Sequence, residues 1–182
     1  MILRRFLTSL RGRTILALYG AIVAQARSPA FYAVYGVPDT VEGRFDLIVL
    51  HLVLVLYALG GETEAARNLG QSLFDTFCRD LDANLREMGV GDLAVPKRMR
   101  RFGEAFYGRQ TVYATALAAD DDGELEKALA RNIFGGSAGG SGEGVARLAR
   151  YARAAVIALK SAGVAGLLRG ELVFPNPETI DD

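Results

Sequence analysis

The sequence predicts an all-α protein, a compact bundle of about six or seven helices, on three observations. Apolar residues recur at steps of three and four along every strongly periodic segment, the spacing that lines up one face of a helix. No segment sustains the strict alternation of a half-buried strand. Glycine and proline fall between the periodic segments, where they end helices. With 182 residues, 51% hydrophobic and 23% charged, the chain is long enough to bury one substantial core. Residues 1–182 are therefore predicted to form a single α-helical domain, with 1–27 as an N-terminal helix and 135–144 as a flexible glycine-rich loop. Neither disorder nor a multispanning membrane protein is suggested.

At the N-terminus, Arg4-Arg5-Phe6-Leu7, the apolar run of residues 15–23 and Ala24-Gln25-Ala26 mimic a twin-arginine export signal. Arg11 and Arg13 push that run inward, and Leu18, Tyr19 and Ile22 recur at helical spacing. A retained amphipathic helix is the expectation. Ser28-Pro29 can start a short turn, and Gly36-Val37-Pro38-Asp39 reads as a connection. Residues 45–59, FDLIVLHLVLVLYAL, are nearly all apolar and fall short of the roughly 20 needed to span a bilayer. Their β-branched content would allow a buried strand, but the length and the closing Gly60-Gly61 favour a central helix.

Residues 62–88 carry Ala66, Leu69, Leu73, Phe77, Leu81, Leu85 and Met88 as one stripe. Gly89-Val90-Gly91-Asp92 is expected to end that helix, with Asp92 capping the next. The following helix runs through Met99, Phe102, Phe106, Tyr113 and Leu117, with a basic opening and an aromatic inner face. Leu50, Leu54, Leu73, Phe77, Phe102, Phe106 and Tyr113 are the predicted core. Asp120-Asp121-Asp122-Gly123 is a polar link whose Asp122 could cap a short helix over 124–134. A last helix resumes at Val145 with Leu148, Tyr151, Ala155, Ile157, Leu159 and Leu168 facing inward, bent or ended by Gly163 and Gly166. Phe174-Pro175-Asn176-Pro177 is an extended tail.

Little in the chain offers chemistry. Cys78 is the sole cysteine, so no internal disulfide forms, and Phe74, Leu81 and Leu85 on its face mark it as a small buried hydrophobe. His51, the sole histidine, lies in the most apolar segment and reads as a core residue hydrogen-bonded to a neighbouring carbonyl or side chain. Histidine metal clusters and a redundant triad are thereby out of reach. Asp120, Asp121 and Asp122 lack the spacing of a calcium loop, and the glycine-rich stretch lacks the Gly-Lys-Ser/Thr of a phosphate cradle. The expectation is a non-enzyme with no cofactor, no metal and no small-molecule substrate.

One local feature departs from the overall charge balance of 21 cations and 21 anions. Lys97, Arg98, Arg100 and Arg101, followed by Glu104, Tyr107 and Arg109, place a basic face on one helix, with Arg100 spaced to pair with Glu104. A solvated face of weak ion pairs is one reading. The other is a docking surface for an acidic protein or for RNA phosphates.

The segment Leu85-Arg86-Glu87-Met88-Gly89-Val90-Gly91-Asp92, continuing through Val95-Pro96-Lys97-Arg98-Met99-Arg100 to Glu104-Ala105-Phe106-Tyr107-Gly108-Arg109, resembles the signature of the ubiquinol–cytochrome c chaperone family. Similarity extends to Tyr35-Gly36-Val37-Pro38-Asp39-Thr40, Gly43-Arg44-Phe45-Asp46, Gln71-Ser72-Leu73-Phe74-Asp75, Leu117, Ala128 and Arg131-Asn132. The resemblance implies a non-enzymatic assembly chaperone of the cytochrome bc1 complex that binds newly made cytochrome b or its nascent chain. It also implies a bacterial member, cytoplasmic and in peripheral contact with the inner membrane, with the ribosome as a further partner. Lys97, Arg98, Arg101, Glu104, Tyr107 and Arg109 are the expected partner-binding residues. A ribosome- or RNA-binding module built on the basic face is the alternative.

Overall fold

One helix forms the centre of the molecule because its sequence leaves few polar residues to face water. The computed structural model describes residues 2–135 and 142–180. Its helices are α1 (Ile2–Ala26), α2 (Pro29–Ala33), α3 (Val41–Leu59), α4 (Glu64–Glu87), α5 (Val95–Ala118), α6 (Gly123–Asn132) and α7 (Gly142–Leu168), with no strand among the described residues. The all-α prediction therefore holds.

The apolar run predicted as a central helix is α3, which begins four residues earlier than the run itself. Thr40 caps it by accepting from the Gly43 amide at 3.1 Å. Gly43 is required there, since a Cβ would come within 2.1 Å of the Pro38 carbonyl oxygen. Leu52, Val53, Leu54 and Val55 are all buried, so α3 is enclosed on every side, packed against α1, α4, α5 and most extensively α7. Length and composition would let α7 cross a membrane, yet Leu148, Tyr151, Ala152, Ala155 and Leu159 are buried in this bundle.

Leu18, Ile22 and Ala26 on α1 are buried in the same core, and the Tyr19 hydroxyl donates to Asp80 on α4 at 2.8 Å. Cleavage after Ala26 would strip these residues from the core. Leu50, Leu54, Leu73, Phe77, Phe106 and Tyr113 are buried as predicted, and Phe102 is partly buried against them.

Some stripe and cap assignments need correction. Met88, Ile157 and Leu168 face solvent: Met88 lies past the last residue of α4, Leu168 is the last residue of α7, and Ile157 points away from the face of α7 that carries Leu148, Tyr151, Ala155 and Leu159. Asp92 does not cap α5; it pairs with Arg86. Asp122 stands at the start of α6, but its side chain turns away to Arg153, and Asp121 accepts from the Gly123 amide at 2.9 Å instead. The backbone breaks from helical form at Gly163, with φ 63°. Residues 136–141 of the glycine-rich stretch lie outside the described residues, while Gly142 already belongs to α7.

The acidic link predicted to be merely solvated is held by Arg153. Its guanidinium pairs with Asp122 and donates to the carbonyls of Ala119 at 2.9 Å and Asp121 at 2.6 Å. One side chain of α7 thus closes the turn between α5 and α6. Arg153→Ala should lower stability by about 1–3 kcal/mol, since a charged donor set is lost and its acceptors are left to water. Arg153→Lys should recover little, because lysine lacks the planar fork. Thermal unfolding of the three proteins checks both statements.

Candidate functional site

The end of α4 and the start of α5 form a hairpin whose turn is built by local chemistry. Gly89, with φ 79°, lets the chain leave α4 through paired bonds: its amide donates to Arg86 at 2.9 Å, and the Val90 amide to Leu85 at 3.0 Å. Arg86 ties the turn across, pairing with Asp82 at 2.7 Å and with Asp92 at 2.5 Å. Val95 is buried beneath, and Pro96 enters in the first turn of α5, where a missing amide hydrogen costs nothing.

From this platform Lys97, Arg98 and Arg101 project into solvent, and none has an ion-pair partner among the described residues. Glu104 lies one turn on and bonds Arg100 at 3.1 Å, the pairing its spacing predicted. Tyr107 is 58% exposed at the margin of the face, with its ring 5.8 Å from Phe74 and 6.0 Å from Phe106. Arg109 is placed differently from the other five. It turns towards α3 and forms a half-buried ion pair with Asp46, whose carboxyl is nonetheless pushed up by burial. The same helix is thus basic outward and bolted inward.

The first turn of α5 holds no acidic residue and no side-chain cap. Cations there oppose the helix dipole at about 0.3–1 kcal/mol each in exposed positions. The basic face is therefore not one that helix stability would select.

His51 offers no second site. It is fully buried, with Nδ1 2.7 Å from the Leu47 carbonyl and Nε2 2.9 Å from the Tyr151 hydroxyl. A carbonyl can only accept, so Nδ1 carries the hydrogen and Tyr151 donates to Nε2. Gln25 then donates to Tyr151 at 3.0 Å and to the Pro175 carbonyl at 3.1 Å. Phe31 packs edge-on against His51, Tyr151 and Tyr35, and Phe174 edge-on against His51. The Tyr35 hydroxyl donates to the Pro177 carbonyl at 2.7 Å. This network was visible in the sequence only as a core histidine with some partner; its members lie on α1, α2, α3, α7 and the tail. Its groups are satisfied and closed to a substrate. Cys78, expected to be buried, is only partly buried because it sits at the edge of the inner face of α4, and that partial burial pushes its thiol up. No group of three or more His, Cys, Asp or Glu side chains among the described residues could hold a metal ion.

Comparison with known proteins gives a consistent answer. A family model described as ubiquinol–cytochrome C chaperone matches residues 33–174, which include the whole α4–α5 hairpin. The crystal structure of the Cbp3 homolog from Brucella abortus superposes with a TM-score of 0.89 at 36% identity, covering 100% of both chains. The ubiquinol-cytochrome-c reductase complex assembly factor 1 of Xenopus laevis is 25% identical over 119 residues. That alignment spans 65% of this chain and 59% of the frog protein's length. The chain, matched over most of its length by the family model and end to end by a solved relative, belongs to the ubiquinol–cytochrome c chaperone family.

Proposed function

We propose that this protein is a non-enzymatic assembly chaperone for the ubiquinol–cytochrome c reductase complex, engaging newly made cytochrome b through the outer face of α5. The observation that carries the reading is the set of exposed cations Lys97, Arg98 and Arg101, without an ion-pair partner among the described residues, on a helix whose inner face is buried. Glu104 and Tyr107 border the contact, and Arg109 acts indirectly by holding α5 to α3 through Asp46. The frog relative's name, an assembly factor for that reductase complex, supports the same reading. The client is an inner-membrane protein, so the chaperone works from the cytoplasm at the membrane face.

The double reversal Arg98→Glu with Arg101→Glu tests it. Both positions are exposed, and removing cations from the start of α5 relieves the dipole, so the thermal transition should stay put or rise slightly. Assembled reductase, followed by its haem absorbance in membranes, should fall several-fold, together with capture of radiolabelled cytochrome b. A folded variant that supports normal assembly would overturn the assignment of this face.

A further inference from the structure

The groups around His51 are closed off in part by the chain's own C-terminal tail, which is fastened differently from the helices. Helix α7 is finished before the tail begins. Gly170, with φ 87°, turns the chain; its amide donates to Leu167 at 2.9 Å and the Glu171 amide to Gly166 at 3.0 Å. Beyond Leu167 no aliphatic or aromatic side chain is fully buried among the described residues. Leu172, Phe174 and Ile180 are partly buried, and Val173 is 67% exposed. No amide of residues 172–180 donates to a helix among the described residues; the bonds run the other way. Gln25 of α1 donates to the Pro175 carbonyl at 3.1 Å, and Tyr35, just past α2, donates to the Pro177 carbonyl at 2.7 Å. Beside them Phe174 stands edge-on to His51 at 5.2 Å, and Phe31 and Tyr151 back that ring.

An extended segment with prolines at alternate positions, held at its carbonyls by side-chain donors and seated against aromatic rings, is bound as a proline-rich ligand is bound by its receptor. Pro175 and Pro177 have no amide to satisfy and fix the backbone, so little freedom is lost on docking. We infer that the groove of Gln25, Tyr35 and His51, backed by Phe31 and Tyr151, is a docking site for an extended aromatic-proline segment of a partner protein. The tail is its tethered occupant, and such a segment displaces it. The seated tail defines the partner's chemistry: an aromatic residue to face His51, a proline at the next position and another two further on. Their carbonyls meet Gln25 and Tyr35. Because the tail adds no fully buried apolar side chain to the core, its release leaves the helical packing in place. The basic face of α5 takes no part in this groove, so the inference is independent of the proposed client contact.

A protease site inserted after the exposed Gly170 lets the tail be cut from the folded full chain. After cleavage and dilution, a fluorescein-labelled peptide of residues 171–182 should bind saturably by anisotropy, with the helical circular dichroism unchanged. The uncut chain should bind it about tenfold more weakly or less, since its own tail competes at an effective concentration on the order of millimolar. A peptide that keeps Phe174, Pro175 and Pro177, with alanine at every other position, should still bind. Phe174→Ala in the peptide should weaken binding roughly tenfold, the order expected from one apolar side chain. Tyr35→Phe in the cut chain should weaken it roughly fivefold, the worth of one hydrogen bond. Loss of the helical signal when the tail leaves makes the tail a structural part of the fold and overturns the inference. So does a folded cut chain that binds no peptide, or one that binds the Phe174→Ala peptide equally well. Failure of the alanine-substituted peptide confines the groove to its own tail and removes the partner. A concentration-dependent dimer of the unaltered chain, abolished by Phe174→Ala, would seat a second copy's tail there instead.

Discussion

Phe77→Ala is expected to destabilise the fold by about 3–5 kcal/mol, the range for removing a buried aromatic from a site that cannot collapse. The ring is 2% exposed and stands where helices α1, α3, α4 and α5 meet. Tyr19 of α1 lies 6.4 Å away, Phe45 of α3 stacks at 6.0 Å, and Phe102 and Phe106 of α5 lie at 5.2 and 6.1 Å. Each neighbour is anchored in its own helix, so none can move into the space without dragging backbone with it. Phe77→Leu keeps most of the volume and should cost less than about 1.5 kcal/mol. Urea unfolding at constant slope measures the pair. A loss below about 1 kcal/mol for the alanine variant would mean that these helices do not depend on this ring for their packing.

The second large effect is a loss of stability on acidification, centred on His51. Full burial holds its pKa down at about 4, against 6.5 for the free side chain, partly offset by the bond to Leu47. Between those values the unfolded chain binds a proton that the folded chain refuses. Stability from this group is therefore complete above about pH 6.5 and declines as pH falls towards 4, by about 3 kcal/mol in all. Protonation also turns Nε2 into a donor, so Tyr151 would have to surrender its own donation and accept from both His51 and Gln25. Because Pro175 and Phe174 pack on this network, the C-terminal tail should loosen first, seen as faster amide exchange over residues 171–180. His51→Gln lacks the titrating group. Its stability between pH 6.5 and 4 should fall less steeply than that of the unaltered chain, and identical slopes would remove His51 as the cause.

What was legible in the sequence followed from periodicity. The stripe from Ala66 to Leu85 became the inner face of α4, and the apolar run with its closing glycines became the central helix α3. Phe106 and Tyr113 are buried because apolar spacing of three and four leaves one face of α5 with no other place to go. The basic face was equally visible, since Lys97, Arg98 and Arg101 share one side of a helix by spacing alone. The caps were harder. Asp92 and Asp122 are suited to capping, but each met an arginine that binds a carboxylate more strongly than a free amide does.

The sequence by itself therefore determined which segments are helices, which face of each is apolar, and that a cationic cluster opens α5, because those properties depend on residues three or four apart. Only the tertiary structure decided how the faces meet. It brought Arg109 to Asp46, 63 positions away, and removed it from the basic surface. It joined His51 to Tyr151 across 100 positions and closed the acidic link with Arg153. It also left Leu93 almost fully exposed in the turn between α4 and α5. Each of these outcomes depends on which side chains from distant segments occupy the same space, and helical periodicity records only where a side chain points on its own helix.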